Sequence, residues 1–427
     1  MYAKTTLANG IRVVTDTMPA VRSVSIGVLV DASPRDEAPE QSGLAHLIEH
    51  AMFQGTSSRD AMQIARLMDV AGGQMGAFTS RDYTCYCATV LDDYRTYALD
   101  LLGDILLNSL FPTESLEREK EAILREIAVG RDTPGERTHA LLKAFAWSGH
   151  PLGRPVVGQP DTVRSLTRED VIYFVHEHYL PGRMIIAAAG SVEHDDFVAQ
   201  VRDAFWRLLG QSEPRASTRP TYQTGVTMEH MPVSQAYFSL GVRACPYTHP
   251  DRYSLHALNS VLGGGISSRL FRRIREERGL VYHIGSEYHA YRDDGMLVIE
   301  GSTDPEYLAE VLDLTLAELG KLVTTDGPLE DELWKAKMQI RGQHIIAAED
   351  VYTRMSRLAT QELYFGRHIP TDEILDQVET VNGHTIRRLA ADTLRDTPHQ
   401  IAVAIVGSDV SQRCSASAVE ELLTGLQ

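Results

Sequence analysis

The stretch Ser42-Gly-Leu-Ala-His46-Leu-Ile-Glu49-His50-Ala-Met-Phe53 decides how the rest of the sequence is interpreted. It contains the pattern H-x-x-E-H, in which two histidines are four residues apart. The surrounding apolar residues predict a helix with Ser42 as its N-cap. Residues four apart lie on the same helix face, so both imidazoles can bind one metal ion. Glu49 projects toward that face and is placed to accept a proton from a metal-bound water.

The composition bounds the class of protein. A chain of 427 residues is longer than one typical core supports, which predicts at least two domains. The formal net charge of −17 argues against nucleic acid or an anionic membrane as a partner. No run reaches the ~18 apolar residues of a membrane span, and the N-terminus has no apolar signal core. Because the four cysteines form no disulfide framework, we expect a cytoplasmic protein.

The two halves of the chain have a similar order of predicted strands and helices. Ser25-Ile-Gly-Val28 is repeated as Ser239-Leu-Gly-Val242, an offset of 214 residues. Between the halves, a segment with Ser, Pro and Gly and without periodicity predicts a linker. We expect an N-terminal catalytic domain at 1–210, the linker at 211–222 and a C-terminal homologous domain at 223–427.

The second half lacks the metal-binding pattern. The offset of the repeat places the three motif residues opposite Ser260, Gly263 and Gly264. None of these residues is a metal ligand of the type that zinc prefers. We therefore expect the chemistry in the N-terminal domain alone.

Two histidines leave a zinc site short of one protein ligand. The predicted helix Glu114–Gly130 offers Glu119 and Glu126, which are seven residues apart on one face. Spacing alone does not choose between these glutamates, nor does it exclude Asp60 or Asp69.

The sequence resembles the pitrilysin–insulinase family of zinc peptidases, most closely its bacterial branch similar to the mitochondrial processing peptidase. In that family the inverzincin signature H-x-x-E-H is followed, after about 75 residues, by a glutamate in the pattern E-x-x-x-x-x-x-E-I. Here Glu119-Lys-Glu-Ala-Ile-Leu-Arg-Glu126-Ile127 matches, with 75 residues between His50 and Glu126. The resemblance implies one Zn²⁺ per chain, held by His46, His50 and Glu126. It also implies that Glu119 orients a ligand or the bound water.

The C-terminal half resembles the same family in the stretches Gly263–Phe271 and Arg275–Tyr282. In the family an arginine and a tyrosine seven residues apart reach the substrate at the zinc site. The resemblance implies this role for Arg275 and Tyr282. Amide hydrolysis develops an oxyanion, which a phenol or a guanidinium stabilises.

The sequence departs from the family pattern after Gly72-Gly73. The family usually has Asn-Ala-Tyr/Phe-Thr-Ser there, and its asparagine contacts the substrate. This chain has Gly76-Ala77-Phe78-Thr79-Ser80, so that side-chain contact is lost. We expect Ala77, Phe78 and Thr79 to bind the substrate, with the strand backbone pairing with an extended peptide by β-augmentation. The run Phe78–Val90, rich in Thr, Tyr and Cys, is predicted to be a strand.

The resemblance implies an α+β fold with two homologous domains, each a β-sheet covered by helices, forming half of a clam-like shell. The leading hypothesis is a zinc-dependent endopeptidase that hydrolyses unfolded peptides or small proteins in an enclosed chamber, with Glu49 as general base. A second chain, giving a homodimer or a heterodimer with a homologous partner, is expected to close the chamber. The alternative is a non-catalytic binding or scaffold subunit of a heteromeric complex.

Overall fold

The computed structural model describes residues 1–70, 73–212, 215, 218–323, 329–394 and 401–424. Gly72 and part of the predicted linker 211–222, at 213, 214, 216 and 217, lie outside the described residues. The chain forms two compact units, each built around its own sheet. The first unit comprises 1–127, 154–216 and 345–369, and the second comprises 128–153, 217–344 and 370–427. Each unit therefore includes a segment from the other half of the chain.

The bounds of the elements are as follows. The strands are β1 (Tyr2–Thr6), β2 (Arg12–Thr17), β3 (Ser23–Val30), β4 (Gln74–Thr79), β5 (Thr84–Leu91), β6 (Met184–Gly190), β7 (Gly225–His230), β8 (Ala236–Ala244), β9 (Val281–Ala290), β10 (Gly295–Thr303) and β11 (Ile401–Gly407). The helices are α1 (Leu44–Ala51), α2 (Ala61–Val70), α3 (Arg95–Asn108), α4 (Thr113–Asp132), α5 (Pro134–Ala146), α6 (Pro160–Ser165), α7 (Arg168–His178), α8 (His194–Phe205), α9 (Arg252–Leu262), α10 (Leu308–Val323), α11 (Glu330–Ala347), α12 (Val351–Phe365), α13 (Thr371–Thr380), α14 (Gly383–Leu394), α15 (Val410–Arg413) and α16 (Ala416–Thr424).

The first unit contains a sheet with the strand order β1-β2-β6-β3-β5-β4. Strands β2 and β6 are parallel, and the other neighbours are antiparallel. Helices α1, α3, α7 and α8 bury one face in a large apolar core. Helix α12 covers the other face, where Met355, Leu358 and Ala359 are buried. Because helices cover both faces, β6 is buried along its whole length and its sequence, Met-Ile-Ile-Ala-Ala-Ala-Gly, is apolar throughout.

The second unit repeats this arrangement, with the strand order β7-β11-β8-β10-β9. Strands β7 and β11 are parallel, as β2 and β6 are in the first unit. Helix α5 packs on one face of this sheet, where Leu142 and Trp147 contact a core that includes Met296 and Ala404. The indole of Trp147 donates a hydrogen bond of 2.9 Å to the buried carboxylate of Asp294. Each sheet is thus covered on one face by a helix from the other half of the chain.

These exchanged helices give the repeated glycines a structural reason. Gly27 and Gly241 occupy the same position in the two repeated strands. A Cβ atom at Gly27 would overlap the Sδ atom of Met355, which belongs to α12. A Cβ atom at Gly241 would overlap the Sδ atom of Met296 and lie 3.2 Å from Leu142 of α5. A glycine inside a strand marks a close approach of this kind.

The prediction that Phe78–Val90 is one strand is wrong. A turn divides this run into β4 and β5, which pair antiparallel with each other. The hydroxyl of Ser80 accepts hydrogen bonds from the backbone N–H groups of Asp82 and Tyr83, at 3.2 and 3.1 Å. A serine that bonds the backbone two or three residues ahead favours a turn over a continuing strand.

We expect Gly27→Ala to lower the free energy of unfolding by about 1–3 kcal/mol, because the added methyl group overpacks the core beneath α12. The double variant Gly27→Ala/Met355→Ala is expected to lose less than the sum of the single variants, since the two sites share one space. Denaturant unfolding of all three measures the coupling. Gly342→Ala is the control, because a Cβ atom there meets open space on a helix. Additive losses would show that Gly27 does not make room for Met355.

Candidate metal centre

Three potential ligands converge in the first unit. His46 and His50 lie one turn apart on α1, with their ring centroids 4.7 Å apart. The Nε2 atom of His46 lies 3.8 Å from a carboxylate oxygen of Glu126 on α4. One ligand atom from each residue lies within 4.8 Å of the others. Among the described residues, no other set of His, Cys, Asp or Glu side chains meets this test, so the structure does not bring Asp60 or Asp69 into the group.

The donor set fits a zinc ion. Two imidazole nitrogens and one carboxylate oxygen are a ligand set that zinc enzymes use, with the remaining position open. Burial, and to a smaller extent the charge of His50, lowers the pKa of His46 to about 4. The ring is therefore neutral at neutral pH, as a ligand must be.

Glu119 lies within hydrogen-bond distance of the second histidine. Its carboxylate lies 3.0 Å from the Nδ1 atom of His50. When Nδ1 donates this hydrogen bond, the Nε2 atom is left as the ligand. Glu119 and Glu126 thus lie on the same face of α4, which is turned to α1. Glu119 contacts His50, whereas Glu126 contacts His46.

His46 lacks a partner of this kind. Its Nδ1 atom is buried and has no hydrogen-bond partner in the part of the chain that the structure describes. The side chain is 8% exposed and contacts His50 edge to face, at an interplanar angle of 71°. Its position therefore depends on packing and on the backbone of α1.

The start of α1 differs from the predicted one. Gly43, and not Ser42, is the N-cap, with a φ of 100° that favours glycine. The hydroxyl of Ser42 is buried without a hydrogen-bond partner among the described residues. The carboxylate of Glu37 accepts hydrogen bonds from the N–H groups of Gly43 and Ala45 instead, at 3.1 and 2.8 Å. Glu37 was missed because capping patterns in a sequence place the acceptor within three residues of the N–H group.

Glu49 lies beside the convergent ligands. The hydroxyl of Thr79, on β4, donates a hydrogen bond of 2.6 Å to its Oε2 atom. Burial raises the pKa of Glu49, while the bond from Thr79 and the charge of His50 oppose this rise. A carboxylate with a raised pKa accepts and returns protons more readily near neutral pH. The contact between Thr79 and Glu49 was not predicted from the sequence.

Strand β4 is an edge strand next to α1. It pairs with β5 on one side, and no described strand pairs with its other side. Ala77 packs toward the core that includes α1, while Phe78 packs toward the opposite core beneath α12. Since side chains alternate along a strand, Gly76 is turned to the same face as Phe78. A Cβ atom at Gly76 would meet nothing within 4 Å.

Arg275 and Tyr282 lie next to each other in the second unit. Arg275 belongs to a short π-helical segment, Phe271–Glu276, and Tyr282 to β9. The guanidinium of Arg275 lies 5.4 Å from the centroid of the Tyr282 ring and 4.6 Å from that of Phe271. Tyr282 is 79% exposed, so its phenol is free to contact a ligand.

In the described ranges of the chain, no helix combines the length and the apolarity needed to cross a membrane.

Family models match both halves of the chain. Residues 12–160 match the insulinase family, peptidase family M16, and residues 165–340 match the peptidase M16 inactive domain. An uncharacterized zinc protease of Bacillus subtilis is 36% identical over 91% of this chain and 95% of its own length. An uncharacterized zinc protease of Mycobacterium bovis is 37% identical over 96% of this chain and 94% of its own. The chain belongs to peptidase family M16, the insulinase family.

Solved structures share the fold. The peptidase M16 inactive domain from Pseudomonas fluorescens aligns with a TM-score of 0.88 and 20% identity, covering 96% of this chain and 98% of the other. A protease from Helicobacter pylori aligns with a TM-score of 0.87 and 21% identity, covering 95% and 99%. The predicted α+β fold with two homologous domains is confirmed.

We expect Glu119→Gln to weaken zinc binding by about 10–100-fold, because the amide no longer holds the ring of His50 as the carboxylate does. Competition with a coloured chelator measures the dissociation constant. Glu121→Gln is the control, since Glu121 is exposed on the same helix. Equal affinities of the wild type and Glu119→Gln would show that Glu119 does not orient the ligand.

Proposed function

We propose that this protein is a zinc-dependent endopeptidase that binds one Zn²⁺ per chain. The observation that carries the proposal is the convergence of His46, His50 and Glu126 near the half-buried carboxylate of Glu49. The relatives named as zinc proteases support the metal and the reaction class. His46, His50 and Glu126 would hold the ion. When bound, zinc supplies a Lewis acid that polarises the scissile carbonyl and acidifies a water molecule.

Glu49 moves the proton in this proposal. Thr79 occupies its Oε2 atom, so Oε1 is the oxygen that accepts a proton from the attacking water. The raised pKa of Glu49 lets the same carboxyl group donate that proton to the leaving amine. Thr79 therefore acts by orienting the base, in addition to lying on the strand that binds the substrate.

The free edge of β4 supports an extended peptide as the substrate. An unpaired strand edge offers N–H and C=O groups to an added strand. The residues Ala77, Phe78 and Thr79 would bind mainly through their backbone, because their side chains are partly buried. Only an unfolded segment can pair in this way, which favours unfolded peptides and small proteins as substrates.

We propose further that Arg275 and Tyr282 contact the substrate, where the phenol stabilises the developing oxyanion. The exposed ring of Tyr282 and the cation–π contact of Arg275 with it support this role. A second chain, identical or homologous, would complete an enclosed chamber. The alternative of a binding or scaffold subunit is favoured by Gly76, which removes the side chain that the family uses to contact substrate.

We expect Glu49→Gln to bind zinc as the wild type does and to cleave an unstructured fluorogenic peptide about 10²–10⁴-fold more slowly, because the amide accepts no proton. Zinc content and initial rates measure the two effects.

Glu169→Gln, an exposed glutamate on α7, serves as the matched control and is expected to retain full activity. Wild-type protein that takes up no zinc would exclude the enzyme. If Glu49→Gln cleaves at the wild-type rate, the protein is still a peptidase but Glu49 is not its general base.

We expect Tyr282→Phe to lower kcat by about 10²-fold with little change in KM, because the phenol acts on the transition state. Steady-state rates on the same peptide test this. Tyr307→Phe removes a hydroxyl from a partly exposed tyrosine of the same unit and is expected to change neither constant. An unchanged kcat in Tyr282→Phe would rule out the proposed contact.

A further inference from the structure

Helix α1 is held at its N-terminus by a carboxylate that lies outside the H-x-x-E-H pattern. The first N–H groups of a helix have no partner within the helix, and an anion placed there also interacts favourably with the helix dipole. Gly43, at the N-cap of α1, has no side chain that could supply an acceptor. Glu37 supplies both oxygens, one to Gly43 and one to Ala45. It is 4% exposed, so these bonds are made inside the protein.

Glu37 is itself fixed by the surrounding loops. It follows a short 3₁₀ turn, Pro34–Asp36, in which Asp36 bonds back to the N–H group of Ser33 at 2.9 Å. The carboxylate of Asp36 also forms ion pairs with Arg183 and Arg215. The guanidinium of Arg154 donates a hydrogen bond of 3.0 Å to the backbone carbonyl of Glu37. The carboxylate is therefore presented from a rigid segment.

The chain just before α1 is held from its other side. The hydroxyl of Thr162 donates a hydrogen bond of 2.6 Å to the carbonyl of Ser42. A Cβ atom at Gly43 would lie 2.9 Å from the Cα atom of Gly158, so two glycine backbones pack directly on each other. With Glu37 on one side and Gly158 on the other, the backbone that leads into α1 has little conformational freedom.

The two histidines of the motif are positioned in different ways. His50 is oriented through its side chain, by Glu119. His46 has a buried Nδ1 atom without a partner among the described residues, and its N–H group directly follows that of Ala45. We propose that Glu37 is the positioning residue of His46, fixing the first turn of α1 so that the Nε2 atom of His46 faces the metal. This inference rests on the proposed zinc site.

The test compares Glu37→Gln with the wild type. Glutamine keeps one acceptor oxygen and loses the second, so one N–H group at the start of α1 loses its partner. We expect about 10-fold weaker zinc binding at pH 8, measured by chelator competition. In zinc-free protein, we expect faster amide hydrogen exchange in the segment 43–46. Glu362→Gln is the matched control, because Glu362 is a buried carboxylate of the same unit that pairs with Lys4 and Arg12.

The pH dependence separates positioning from a general loss of structure. The pKa of Glu37 is raised to about 7, chiefly by burial and also by the charge of Asp36, against the lowering effect of the backbone bonds from Ala45 and Gly43 and of the charge of Arg154. Below this pH the wild type carries a protonated Glu37, which resembles glutamine in charge and in acceptors. The ratio of the two zinc affinities is therefore expected to fall from about 10 at pH 8 toward one at pH 6.

Glu37→Gln is expected to fold. Because its pKa in the folded protein lies above the ordinary value of 4.5, Glu37 binds a proton more tightly in the folded state. The stability that this adds is present below about pH 4.5 and is lost as the pH rises through about 7. The wild type therefore loses stability relative to Glu37→Gln over that range, since the variant has no charge to bury.

Each outcome decides one of the two proposals. Equal zinc affinity of the wild type and Glu37→Gln at pH 8 overturns the inference and leaves the zinc peptidase intact. An equal loss of zinc affinity in Glu362→Gln overturns the inference as well, because the effect then comes from a general loss of folding stability. Wild-type protein that does not bind zinc refutes the proposed function. In that case, unchanged amide hydrogen exchange at 43–46 in Glu37→Gln separately refutes the role of Glu37 at the start of α1.

Discussion

Burial of α1 makes its polar groups depend on partners inside the protein. Leu44, Leu47 and Ile48 are fully buried, so the helix lies in the core of the first unit. An unpaired polar group in such a place costs about 1–3 kcal/mol. The helix nevertheless carries two imidazoles, one carboxylate and the free N–H groups of its first turn. The surrounding structure supplies partners for His50, Glu49 and the first-turn N–H groups from Glu119, Thr79 and Glu37, which lie on three different segments.

The second unit contains a similar sheet, but the helix that corresponds to α1 lacks the two histidines and the glutamate. Helix α9 follows β8 as α1 follows β3, and Ser260 lies in α9 at the place that corresponds to His46. Gly263 ends that helix, and its N–H group bonds the carbonyl of Asn259. The second unit keeps the central strand with its glycine, which lies against Met355 of α12 in the first unit and against Met296 of β10 and Leu142 of α5 in the second. The sheet and its exchanged helix are thus present in both units, although, among the described residues, only the first unit has the candidate metal ligands.

Short-range patterns predicted the local features of the fold and of the site. The i, i+4 spacing of His46 and His50 and the periodicity of α4 depend on neighbouring residues, and the sequence shows both directly. The choice between Glu119 and Glu126 depends on how α4 lies against α1, so spacing left it open and the family resemblance was needed. The turn at Ser80 was missed because its flanking residues favour strands on both sides. The exchange of α5 and α12 was not predicted, because a helix pattern does not state which sheet the helix covers.

The Ser42 prediction failed for a reason that bears on the site. A sequence pattern can assign a cap only to residues near the helix start, whereas Glu37 reaches the first turn from a separate loop. A buried charge at this place costs more than a serine cap, as the raised pKa of Glu37 indicates. The carboxylate bridges the two N–H groups with one oxygen for each. The ring of His46 receives no orienting hydrogen bond among the described residues, so under the proposed role of Glu37 that rigidity would reach the ligand through the backbone. In that proposal, the cost in folding stability and the precision of the zinc site arise from the same carboxylate.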